Sequence, residues 1–388
     1  MRYLVVLPGS LPFPPIMGGA TENLVNYYVE SNEISKKNEY IVVSAYNKCL
    51  KDYHIQFDNC KLIYINQRKI SFMIKKLFLY IIRRFCKMNV PNAYLSSVLK
   101  QIKKESFESI IIENNPEYGF YIKKKYPNIK LYLHLHNDSI SISNITYAKS
   151  YDRILCVSNY IKERILSLDN SIDAVTLYNA IDLKNYSNEK NNRQSICKKF
   201  GLSTTKKTIM YVGRIQENKG VLDLVKAFVN VDNNNLQLVL VGGSFFKNSK
   251  PDQFYKTICD ISEKYDNIVM TGYVDYNSIP ELMQCSDIGV VPSKCKEAFG
   301  LTLLEFMALG KPTITSNDGA LTELANDNTS IIIDCEDDMQ KQLEKAIIDL
   351  CYNSSEQRLK KMGQEAMKKS KGFGVDKYVK KFNEYVGD

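Results

Sequence analysis

Tryptophan is absent from the 388 residues. Histidine occurs three times (His54, His134, His136), and the ten cysteines include no Cys-x-x-Cys pair. Zinc ribbons and fingers need cysteine or histidine pairs at short spacing, so that class is excluded. A disulfide framework is expected of short secreted chains; this chain is long and shows no cleavable leader, which predicts reduced cytosolic thiols. Glycine and proline are sparse, at 18 and 11, and 44% of residues are hydrophobic, which excludes a collagen-like or largely disordered chain. The length suggests two or three domains.

Three phosphate-handling motifs are also missing. No Gly-x-Gly-x-x-Gly follows a strand-like run, which argues against a dinucleotide dehydrogenase, and no Walker A lysine motif argues for a P-loop ATPase. No Asp-x-Asp pair is present to hold a metal against a diphosphate, so no metal is expected to be required. No apolar run reaches the roughly 18 residues of a membrane span.

Acidic residues are scarce in one half. The net charge is +9, and residues 1–188 hold 25 Lys/Arg against 16 Asp/Glu, so the whole excess lies there. Lys61–Lys104 carries 11 basic residues and no acidic one. Within it, Arg68–Lys87 is a basic amphipathic segment. Arg68, Lys69, Lys75, Lys76, Arg83, Arg84 and Lys87 share one half of a helix, and Ile74, Leu77, Phe78, Ile81 and Phe85 the other. Such a helix either rests on an anionic membrane surface or packs its apolar side in the core. No nucleic-acid motif accompanies the patch, and nucleic acid is not an expected partner.

Short apolar runs alternate with helical periodicity along the chain. Arg2–Leu7, Tyr40–Ala45, Leu62–Ile65, Ser109–Glu113, Leu131–His136, Arg153–Val157 and Ala174–Tyr178 read as strands. The polar stretch 183–207, with an Asn/Lys cluster at Asn188–Arg193, reads as a linker. Strands resume at Thr208–Val212, Leu236–Val241, Asn267–Met270, Asp287–Val291, Pro312–Thr315 and Ser330–Ile333. The pattern predicts α/β architecture with two Rossmann-like domains, 1–182 and 208–372, and an amphipathic last helix within 373–388.

In open α/β sheets, ligands bind beyond the carboxyl ends of strands. Glu297-Ala-Phe-Gly-Leu-Thr-Leu-Leu-Glu305 follows one such end, with two carboxylates eight residues apart. Gly300 is expected to open a helix with Glu305 two turns in, and its free N–H groups form an anion site. Gly213-Arg214 and Lys219-Gly220 follow another strand, and a planar fork with a point charge suits a diphosphate. Gly18-Gly19 allows close backbone approach to phosphate. His136 stands at the carboxyl end of its strand and shares a face with His134. Each feature has a plainer reading as a loop, a solvated turn or a structural histidine.

Together these residues resemble the retaining GT-B glycosyltransferases of family 4, the Glu-x7-Glu type, including members that build bacterial surface polysaccharides. The resemblance covers the whole chain and implies two domains facing across a cleft, with the last helix crossing back to the N-terminal one. It implies an acceptor site in residues 1–182 and a nucleotide-sugar site in 208–372. Glu297 would contact the donor sugar and Glu305 the ribose. Arg214 and Lys219 would bind the diphosphate with the amides of Gly19, Gly213, Phe299, Gly300 and Leu301. Gly272, Tyr273 and Val274 would lie near the base, and His136 near the reaction centre, making His136, Glu297, Arg214 and Lys219 the catalytic set. Asn179-Ala-Ile-Asp182 is similar to the family's Asn-Gly-x-Asp, with Ala180 in place of Gly, and Glu22 stands three rather than two residues after the glycines. The implied activity is transfer of a hexosyl unit from a UDP-sugar to a lipid-linked glycan acceptor for capsule, cell-wall or lipopolysaccharide synthesis, without a cofactor. The implied location is cytoplasmic, peripheral on the membrane through Arg68–Lys87. The alternatives are a GT-B enzyme with a soluble acceptor and a non-catalytic partner subunit that keeps the fold.

Overall fold

The structure, a computed structural model, describes residues 1–53, 56–186, 193–244, 252–294 and 296–387. His54, named above, and Asn188–Asn192, part of the Asn/Lys cluster, lie outside the described residues. The chain forms two compact units: Met1–Tyr178 with Tyr378–Asp388, and Asn179–Lys377.

The first unit is built on seven parallel strands: β1 (Arg2–Val6), β2 (Glu39–Ala45), β3 (Cys60–Ile65), β4 (Ser109–Glu113), β5 (Lys130–Leu135), β6 (Arg153–Cys156) and β7 (Ala174–Thr176). Their order is β3-β2-β1-β4-β5-β6-β7, so the winding direction reverses between β1 and β4. Helices on both faces explain why the strands are continuous apolar runs rather than alternating ones. Ser158 caps helix Asn159–Leu168 through a 3.1 Å bond from the Ile161 amide, and Asn92 caps Ala93–Gln101 through the Leu95 amide at 2.8 Å. β5 ends at Leu135, so His136 lies just past the strand instead of closing it.

The second unit has six parallel strands: β8 (Lys207–Val212), β9 (Leu236–Val241), β10 (Ile268–Gly272), β11 (Ile288–Val291), β12 (Thr313–Ser316) and β13 (Ser330–Ile333). The order is β10-β9-β8-β11-β12-β13, with the reversal between β8 and β11. Leu224, Val225 and Phe228 of helix Val221–Val231, Leu238 and Leu240 of β9, and Leu343 and Ile347 of helix Met339–Ile348 share one buried core. The stretch expected as a linker is structured where it is described. Leu183–Tyr186 makes a 3-10 turn and Arg193–Lys199 a helix that buries Ile196 and Cys197 in this unit.

From Tyr378 on, helix Val375–Val386 is part of the first unit. Phe382 stacks on Tyr28 with ring centroids 4.0 Å apart, and the Tyr3 and Tyr132 hydroxyls donate to the Val386 carbonyl at 3.2 and 3.3 Å. The two chain segments therefore share one core. The architecture is that of the GT-B fold.

Helix Ile70–Phe85 departs from a core-packed reading. Phe72 is its one buried residue, while Ile70, Ile74, Leu77, Phe78 and Phe85 are each at least 60% exposed. Lys75 donates to Ser97 at 3.1 Å and Arg83 pairs with Glu117 at 3.6 Å, so two of the basic side chains anchor the helix to its unit.

Candidate functional site

The carboxyl ends of β8 and β11, the pair at which the second sheet reverses, carry the charged groups. Lys219 ends a 3-10 turn, Glu217–Lys219, after β8, and Glu297 lies in the loop after β11. The Lys219 ammonium donates to Glu297 Oε1, and the Ser293 hydroxyl donates to the same oxygen at 2.7 Å. The Lys294 amide donates to the Asn218 carbonyl at 2.9 Å, joining the two loops. Arg214 is exposed directly after β8, and its carbonyl accepts from the Tyr211 hydroxyl at 2.6 Å. Lys219 and Glu297 are thus brought together from positions 78 residues apart.

A third loop, after β12, clasps the Glu297 segment. Asp318 accepts from the Lys296 amide, and the Ala320 amide donates to the Glu297 carbonyl at 2.8 Å. Gly319 has φ 55, and a Cβ there would lie 2.3 Å from the Glu297 carbonyl oxygen, so no larger residue fits. Lys296 itself is left-handed at φ 47, a strained conformation of the kind found at functional sites. Ser293, Asp318 and Gly319 were not singled out from sequence; the Asn-Asp-Gly run after β12 was the available signal.

Helix Leu301–Ala308 begins at Gly300, whose φ of 103 favours glycine. Phe299 is buried, and Leu301 opens the helix with its amide free of intrahelical partners. Glu305 is the fifth helical residue, so it sits just over one turn in rather than two. Its side chain faces the interior and accepts from the Tyr186 hydroxyl at 2.9 Å. Burial raises this carboxyl to about 7, and the Tyr186 bond opposes the rise. Gly272 ends β10 and its carbonyl accepts from the Gly242 amide at 3.0 Å; Tyr273 is exposed and Val274 half-buried beyond it. Gly213 donates its amide to Val241 at 2.9 Å.

In the first unit, Gly19 is the N-cap of helix Ala20–Ser35. Glu22, in its first turn, is buried against Gly19 and raised to about 7 by burial. His134 and His136 stand side by side with ring centroids 4.1 Å apart. Both face Glu113, the last residue of β4, which sequence reading left as an ordinary strand end. The donor atoms of these three residues lie within 4.8 Å of one another. His136 Nε2 is 2.6 Å from Glu113 Oε2, a hydrogen bond, whereas two ligands of a tetrahedral zinc ion sit about 3.3 Å apart. Glu113 and His136 are hydrogen-bonded, with the His134 ring beside them.

Residues 192–369 match the family described as Glycosyl transferases group 1. The spore coat protein SA of Bacillus subtilis (strain 168) is 26% identical over 378 residues, covering 92% of both chains. The lipopolysaccharide 1,2-N-acetylglucosaminetransferase of Salmonella typhimurium is 24% identical, covering 81% of this chain and 80% of its own. In structure, Anabaena Alr3699/HepE in complex with UDP and glucose matches with a TM-score of 0.76 at 16% identity, over 99% of each chain. This is a glycosyltransferase of GT-B fold, related to the group 1 glycosyl transferases. The glycosyltransferase's matched segment contains Arg214, Lys219, Glu297 and Glu305.

Proposed function

We propose that this enzyme transfers a hexosyl unit from a UDP-sugar to a lipid-linked glycan acceptor, with retention at the anomeric carbon, in synthesis of a surface polysaccharide. The observation that carries the donor half is the Lys219–Glu297–Ser293 cluster at the β8/β11 reversal, followed in sequence by the Gly300-headed helix. Lys219 and Arg214 supply positive charge for the departing diphosphate, and the amides at Phe299–Leu301 supply donors. Glu297, freed from Lys219 as the diphosphate arrives, accepts from sugar hydroxyls. Glu305 accepts from the ribose, and Gly272–Val274 border the base. The acceptor hydroxyl attacks the anomeric carbon on the side from which the diphosphate leaves. The UDP bound by Alr3699/HepE and the lipopolysaccharide activity of the Salmonella relative support the choice of donor and product.

A peripheral position on the cytoplasmic face of the membrane is supported by helix Ile70–Phe85. Its apolar residues are exposed within a stretch of 11 basic residues and no acidic one, a combination that suits anionic lipid. The first unit, which carries this helix together with Gly19 and His136, is proposed to receive the acceptor.

The test is a thermal-shift panel of UDP-, GDP-, ADP- and dTDP-sugars on the wild type and Glu305→Ala. Stabilisation by UDP-sugars alone, weakened in the variant, is expected. Stabilisation by another base class, or an undiminished shift in Glu305→Ala, rejects the donor assignment.

A further inference from the structure

Glu113 is fully buried at the end of β4, and a buried carboxylate is costly to keep unless its partners require it. Its Oε2 accepts from His136 Nε2 at 2.6 Å, while Tyr28 donates to Oε1 at 3.4 Å. His134 Nδ1 lies 3.1 Å from Oε2 without the alignment of a hydrogen bond. The next residue, Asn114, is left-handed at φ 64, a conformation Asn tolerates. That turn lets its side-chain carbonyl accept from the His136 amide at 3.2 Å, while its own amide donates to the His134 carbonyl at 2.9 Å. Two adjacent residues of one strand end therefore hold both the ring and the backbone of His136. The remaining ring atom, His136 Nδ1, is buried and has no hydrogen-bond partner among the described residues.

We propose that Glu113 and Asn114 are positioning residues for His136, fixing its imidazole as the Nε2–H tautomer so that Nδ1 can accept a hydrogen bond from a substrate hydroxyl. This rests on the reading of His136 as a group at the reaction centre. The carboxylate can accept only N–H, so it selects the tautomer, and the bare Nδ1 gains its partner when a hydroxyl arrives. The surroundings keep the ring uncharged. Burial and the neighbouring His134 push His136 down to about 4, with Glu113 pulling the other way. Burial acts to raise Glu113, but His134 and His136 outweigh it and hold the carboxyl at about 2. On top of burial, the Glu113 charge in turn raises Glu22, Tyr28 and Tyr378, the other titratable groups near it. The result at neutral pH is an ionised carboxylate beside a neutral imidazole.

Three histidines in the chain make the experiment simple. Long-range ¹⁵N–¹H spectra of the full-length protein labelled at histidine are assigned with His136→Ala. The expected wild-type result is a neutral His136 in the Nε2–H form from pH 6 to 8. In Glu113→Gln and Glu113→Ala, that form should give way to the Nδ1–H tautomer or an exchanging mixture. UDP release from UDP-glucose should fall about 10-fold or more in kcat, with KM within about twofold, because misplacing a reacting group leaves donor binding intact. A wild-type His136 that is Nδ1–H or doubly protonated at pH 7 overturns the proposal. So does a tautomer unchanged in both Glu113 variants, whose folding is checked by thermal unfolding. If His136→Ala keeps wild-type turnover, the reading of His136 fails instead, and the tautomer result still reports on Glu113.

Discussion

Burial holds the Glu305 carboxyl at about 7, against an ordinary value of 4.5, so it ionises near neutral pH. With Glu305 in its proposed role at the ribose, recognition through carboxylate oxygens strengthens with pH. Affinity for UDP should rise between pH 6 and 8, and Glu305→Gln should flatten the rise; titration calorimetry at several pH values reads this directly. Stability runs the other way. The folded state holds this proton more tightly than the unfolded chain, so the contribution is complete below about pH 4.5 and is lost as pH rises through 7. A difference of that size is worth about 3 kcal/mol. Glu22, also raised to about 7, adds in the same direction. Glu305→Gln should therefore gain stability over the wild type as pH rises from 5 to 8, visible in Tm. Charge supply to the diphosphate is tested at the same scale. Arg214→Ala with Lys219→Ala should lower turnover at least about 100-fold, since a single transition-state donor is commonly worth that much. Near-wild-type turnover in the double variant rejects the assignment.

Helix Leu301–Ala308 is held in place at its far end by glycine-on-glycine packing. A Cβ on Gly363, in helix Glu356–Ser370, would lie 2.1 Å from the Gly310 carbonyl oxygen, and backbone cannot yield as a flexible side chain does. Gly363→Ala should cost about 1–3 kcal/mol by chemical denaturation. Helix Ile70–Phe85 makes the opposite use of its surface. Replacing Leu77 and Phe78 by Ser should leave folding intact and reduce co-sedimentation with phosphatidylglycerol vesicles. Equal binding to phosphatidylcholine and phosphatidylglycerol vesicles would count against the membrane assignment. All thirteen strands among the described residues were legible as short apolar runs, because parallel strands covered on both faces have little room for polar residues. What stayed hidden were the partners. Glu113 and Asp318 meet their neighbours only when separate strand ends converge, Tyr186 meets Glu305 across 119 positions, and Ser293 meets Glu297 within one irregular loop; no local periodicity marks any of these. Glu113 closes an Ile-rich run read as a strand, with nothing to mark it, yet it is fully buried. Tyr186 fell in a polar stretch that read as a linker, although its hydroxyl meets Glu305 from 119 positions away.

At the scale of the whole chain, the first unit is discontinuous. Phe382 is fully buried on Tyr28, and Phe382→Ala should cost about 3–5 kcal/mol, seen as an early unfolding transition of the first unit. A chain stopped before Tyr378 should lose more, and adding the missing segment as a peptide should restore part of it. The same feature governs the order in which the protein takes shape during synthesis. The first 178 residues leave the ribosome without Phe382 and the groups that join it, and the intervening second unit must be made before they arrive. At roughly 5–20 residues per second, that interval lasts about 10–40 s. Through it the nascent first unit carries an unfilled slot over Tyr28, in addition to the exposed apolar side chains of helix Ile70–Phe85. The second unit is continuous and can finish first, so the half of the polypeptide translated earlier is the half completed last.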